Sequence, residues 1–119
     1  MAMRKHVNLN EMELYDADVT RGKLLPVGYE LRPQQMRPSV WVYEAGGHGT
    51  KHKQKEQEEL YHVLSGRFEL VFADETMELE PGSFVVVSPD EERQLHCLED
   101  GKVFVVGAPN VKDDGVVLD

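Results

Sequence analysis

Cysteine is almost missing from this chain: Cys97 is the only one, so no disulfide can form within it. A lone thiol fits a reducing compartment. No apolar run approaches the roughly 18 residues of a membrane-crossing helix. The opening Met1-Ala-Met-Arg-Lys-His leads into no apolar segment, so no signal peptide is expected and the cytoplasm is the expected location. Positive charge is in deficit as well, with a net charge of −9. Nucleic acid and anionic membrane would both repel such a chain, and neither is expected as a partner. Nucleophile elbow, phosphate loop and CxxC pair are all lacking, which removes the commonest hydrolase, nucleotide-binding and thiol-redox readings.

What is present reads mostly with period two. Val40-Trp41-Val42-Tyr43 is β-branched and aromatic, as strands prefer. Phe68, Leu70 and Phe72 alternate with Arg67, Glu69 and Val71, and Met77 and Leu79 with Glu78 and Glu80. Phe84 to Val87 is a short apolar run expected to be covered on both sides, and Val103 to Val106 repeats it. Turn signals at Gly46-Gly47, Ser65-Gly66, Ala73-Asp74, Pro81-Gly82, Ser88-Pro89-Asp90 and Asp100-Gly101 separate these runs. Many short strands divided by frequent turns predict an all-β sandwich or barrel. With 119 residues the chain makes one domain, 1–119, with its core at about 36–110. Val7 to Leu9 and Tyr29 to Leu31 are read as edge strands, and Lys112 to Asp119 as a loosely held tail.

The stretch from Lys51 to Leu60 is rich in helix formers, yet as a helix it would be polar nearly all round with no face to bury. Read as extended chain, it projects His52 and Gln54 to one face. Glu59 then opens the strand-like Glu59-Leu60-Tyr61-His62-Val63-Leu64. Pairing of the two strands would gather an imidazole, an amide oxygen and a carboxylate, donors suited to a divalent first-row metal. Tyr61 and Val63 share the Glu59 face, and Trp41 and Tyr43 are candidates for an apolar wall. His48, His62 and His96 are read as surface or supporting histidines, and Cys97 as a small buried hydrophobe.

This stretch resembles the first motif of the cupin superfamily, Gly-x5-His-x-His-x(3 or 4)-Glu-x6-Gly. Gly46, His52, Glu59 and Gly66 fall on its spacings, with Gln54 where the second histidine belongs. The second motif is matched more loosely from Gly82, with Arg93 at its histidine and Cys97 at its asparagine. The resemblance implies a small single-domain cupin: a double-stranded β-helix, or jelly-roll, barrel. It also implies a metal site of His52, Gln54 and Glu59 holding Fe, Mn, Ni or Zn. A small-molecule ligand would be contacted by Arg93 and Tyr61, in chemistry such as oxygenation, isomerisation or decarboxylation. A homodimer exchanging N-terminal strands follows from the same likeness.

The departures leave alternatives open. Arg93 has no lone pair to give a metal. It either pairs with Glu59 or presents a fork to an anionic ligand. A register slipped by one residue would turn Gln94 and His96 inward instead. Gln54 either ligates or hydrogen-bonds its neighbours. A metal-free binding or sensing module using Arg93 and Gln54 is therefore the competing reading.

Overall fold

The computed structural model describes residues 4–118. Met1–Met3, where the sequence was read as lacking a leader, and Asp119, the end of the tail, lie outside them. The described chain forms one nine-stranded sheet with two short helical turns, and so realises the all-β expectation. Its strands are β1 (Tyr15–Asp16), β2 (Thr20–Leu25), β3 (Arg37–His48), β4 (His52–Gln54), β5 (Glu58–Phe72), β6 (Thr76–Leu79), β7 (Phe84–Val87), β8 (Arg93–Ala108) and β9 (Gly115–Val117). The order β1-β2-β3-β8-β4-β9 makes one path, and β5 pairs with β6, β7 and β8. Among the described residues no helix is long and apolar enough to cross a membrane.

Three of the expected turns are bends inside long strands. Gly46-Gly47 lies in β3, Ser65-Gly66 in β5 and Asp100-Gly101 in β8. The pairing of β5 with β8 changes register between Val63 and Phe68, where the sheet rolls over. A glycine is needed there: Gly66 has φ +77°, and a Cβ on it would lie 2.5 Å from the Asp100 carbonyl oxygen. Long, bent strands let one sheet supply both walls of the barrel. Phe68, Leu70, Val63 and Val103 fill the space between them, each at most 1% exposed.

Other expectations change on inspection. Leu9–Glu11 is a 3-10 turn capped by the Asn8 side chain, which accepts from Asn10 N. Tyr29 to Leu31 belongs to a one-turn helix, α1 (Val27–Leu31), that begins after Pro26 and stops at Arg32 in the left-handed region. Only one face of β7 is covered, since Phe84 is 65% and Val86 63% exposed while Val87 is buried. β4 does not pair with β5; it pairs with β8 at His52↔Arg93 and with β9.

The tail is held rather than loose. β9 runs antiparallel to β4, and just before it Asp114 is 3% exposed. Its carboxylate accepts from the backbone N–H of Glu56 and Gln57 and from Gln54 Nε2. Burial works against the charge, but these donors hold the Asp114 carboxyl below its ordinary value. Asp114→Ala would strand buried donors, each worth about 1–3 kcal/mol when unsatisfied. The variant should therefore lose about 2–4 kcal/mol in urea unfolding; a change within error would mean that the tail contributes nothing to the fold.

Candidate functional site

The barrel holds an open cavity of about 760 Å³, bordered also by α1 and by the segment after β8. Its polar floor is lined by His52, Glu59 and Tyr61 from two strands, with Arg93 of a third buried behind them. β4 carries His52, and the beginning of β5 carries Glu59 and Tyr61, two residues apart and therefore on one face. β8 adds Arg93 at its first position, on the buried face it shares with Leu95 and Cys97. The motif register thus holds and the slipped one does not: Gln94 and His96 face the other side. His96 Nε2 there meets Gln94 Oε1, and the His96 ring lies 5.6 Å from that of His48.

One carboxylate oxygen organises the floor. Glu59 Oε1 accepts from Arg93 Nη2 at 2.6 Å and from the Tyr61 hydroxyl at 2.9 Å, and lies 3.3 Å from His52 Nε2. The other His52 ring nitrogen is 3.0 Å from the Thr50 carbonyl. Arg93 also donates to the Glu91 carbonyl, its side chain is wholly buried, and its Nε has no partner among the described residues. Burial of Glu59 disfavours its charge, but hydrogen bonds from His52 and Arg93, with the positive charge beside them, win and hold its pKa at about 2. Burial, reinforced by the Glu59 charge, pushes the Tyr61 phenol far above its ordinary value, so it remains a donor.

Gln54 is placed elsewhere. Its amide donates to Gln57 Oε1 and to Asp114, so it braces the turn between β4 and β5 and the tail. Gln57 in turn donates to the Val111 carbonyl. The sequence reading missed Gln57 and Asp114. Gln57 gave no signal amid the charged residues Lys55 to Glu59, and Asp114 only that of an acidic residue shortly before a β-branched pair. Trp41 and Tyr43 do form the apolar wall, with rings 6.4 Å apart and nearly parallel, and Leu95 and Val105 extend it. Val63 packs in the core instead. His62 stacks on Phe84 at 3.9 Å on the outer face, and Cys97 is buried with its thiol pushed up to about 11, by burial first.

The metal that the motif implies can be tested against these donors. Among the described residues, no three of histidine, cysteine, aspartate and glutamate converge. Glu59 Oε1 is already engaged by three partners, the Gln54 side chain is held through its amide nitrogen by Gln57 and Asp114, and the last motif position is a guanidinium. A cation coordinated by this carboxylate would sit against Arg93, and the two positive charges would repel. The side chains as arranged do not fit a divalent metal.

The Glu59 pKa has a consequence for acid stability. A carboxyl at about 2 in the fold, against 4.5 ordinarily, adds stability that is complete above about 4.5 and lost as the pH falls toward 2. The amount is on the order of 3 kcal/mol. Glu59→Gln should be less stable than wild type at pH 7, because Arg93 loses its partner, and the gap should narrow to roughly a quarter on acidification to pH 2.5. Parallel stability curves for the two proteins would show that Glu59 is not held in this way.

Comparison with known proteins follows the same lines. Residues 39–107, more than half of the chain, match the family described as "Cupin domain". A search of curated proteins gave no match. KdgF from a Halomonas species superposes with a TM-score of 0.76 at 20% identity, covering 87% of this chain and 94% of that one. The polyketide cyclase RemF from Streptomyces resistomycificus gives 0.80 at 18% identity, with 98% and 87% covered. A sugar phosphate isomerase of the cupin superfamily from Silicibacter pomeroyi gives 0.75 at 19% identity, with 89% and 76% covered. At such identities the likeness is one of fold, and these neighbours differ in chemistry. The family match, the rolled sheet and the motif glycines Gly46 and Gly66, both at positive φ, make this chain a member of the cupin family.

Proposed function

We propose that this cupin binds a small organic molecule in its barrel without a metal, with Tyr61 and His52 presenting polar groups at the cavity floor. The observation that carries the reading is the Arg93–Glu59 ion pair at 2.6 Å. In the family motif the Glu59 carboxylate and the residue at position 93 would both serve a cation. Here they neutralise one another. The cavity supports the same reading: it combines an aromatic wall with a few convergent polar groups, as ligand pockets do. Arg93, taken up by Glu59 and Glu91, braces the floor and does not grip a ligand. Tyr61 and His52 remain the floor contacts. A homodimer in the cytoplasm completes the proposal, the dimer resting on the family likeness and the location on the lone thiol and acidic charge.

Elemental analysis of untagged protein, after incubation with Fe(II), Mn(II), Ni(II) or Zn(II) and gel filtration, tests the central claim. The expected result is far less than one metal per chain. Near-stoichiometric metal that His52→Ala and Glu59→Ala both abolish would overturn the metal-free reading and restore the His52–Glu59 centre. Light scattering on the same samples reports the dimer, and a monomer at all concentrations would remove that part of the proposal.

A further inference from the structure

The mouth of the cavity has a charge unlike the rest of the molecule. Of thirteen basic residues three line the cavity, Arg32, Arg37 and Lys112; of twenty-two acidic residues only Glu59 and Asp113 do. Glu59 is already neutralised by Arg93 at the floor. At the rim, three cations therefore face one aspartate in a protein whose net charge is −9.

These residues come from distant parts of the sequence, and the fold brings them together. Arg32 is the left-handed residue that ends α1. Arg37 opens β3, and its Nη1 donates to the Val111 carbonyl at 2.9 Å, which ties β3 to the residue before Lys112. Asn110 closes the same seam by donating to the Pro33 and Gln34 carbonyls. All three cations are exposed, whereas Trp41 is half-buried and Tyr61 buried. Charge therefore collects at the entrance, an aromatic wall lies behind it, and hydroxyl and imidazole groups lie at the base.

We infer that the rim of Arg32, Arg37 and Lys112 is an anion-recognition site. It would take a flat cyclic organic molecule carrying a carboxylate or phosphate, with the ring against Trp41 and an uncharged polar end toward Tyr61 and His52. The inference rests on the metal-free ligand pocket proposed above and adds the chemical class of its occupant. Guanidinium and ammonium groups at a concave mouth match such anions directly. Arg93, the sequence's candidate for this task, is spent on Glu59, so recognition of the anion falls to the rim.

Trp41 is the only tryptophan, and it lines the cavity, so its fluorescence reports on that space. The probes are 4-nitrobenzoate, 4-nitrophenyl phosphate and the neutral 4-nitrobenzyl alcohol, each titrated as a quencher. At least one anion should bind about tenfold more tightly than the alcohol. That preference should disappear in the triple variant Arg32→Gln, Arg37→Gln, Lys112→Gln, and in wild type at about 0.5 M NaCl, where screening is short-ranged. A tighter carboxylate would point to an organic acid, and a tighter phosphate to a phosphate ester. Equal binding of all three probes, or an anion preference that survives both the triple variant and salt, would overturn the rim assignment and leave the pocket standing. No quenching by any probe would overturn the rim assignment and the ligand pocket together.

Discussion

Glu59 Oε1 is shared by a guanidinium, a phenol and an imidazole, and the floor of the barrel is arranged around that one oxygen. A carboxylate at this depth costs several kcal/mol to desolvate unless partners compensate it. Arg93 does so, and Arg93 is itself buried and charged, so each is tolerable only because of the other. The pair ties the start of β5 to the start of β8, from the two halves of the rolled sheet. It also holds Tyr61, whose hydroxyl, two residues along the same face, donates to that oxygen. At motif positions 59 and 93 the chain thus carries an internal ion pair.

Much of this was legible before any coordinates. Alternation in 67–72 and 76–80 located β5 and β6, and the motif spacing brought His52, Glu59 and Arg93 to one interior, because side-chain direction in a strand follows sequence parity. Parity also separated Tyr61 from His62 correctly. Contacts made by single distant residues stayed hidden. Nothing near Gln54 announces that its amide will be claimed by Asp114, sixty positions later, and Val116-Val117 is too short to declare itself a strand. Tyr29 to Leu31 misled because three residues cannot distinguish a period of 2 from one of 3.6. Gly46-Gly47 and Ser65-Gly66, read as turns, proved to be bends inside strands, since a glycine at positive φ such as Gly46 or Gly66 serves either role.

Floor and rim divide the labour of the pocket. The floor groups are fixed by one another, and any change there disturbs the fold along with the site. The rim residues Arg32, Arg37 and Lys112 are exposed and stand on the end of a one-turn helix, the edge of a strand and a loop. Exposed positions such as these can vary at less cost to stability than the buried floor.

The pairing of β9 with β4 also bears on how the protein comes into being. The wall beside His52 is made by residues in the middle of the chain and by residues 115–117, so it cannot close until synthesis has passed that point. During translation β4 has an open edge and Gln54 a buried amide without its acid, while β8 has yet to join β3 to β5. Contacts so far apart in sequence form slowly. The pocket therefore cannot close before residues 115–117 have been made, and until then a nascent chain carries unpaired strand edges that invite association with its neighbours.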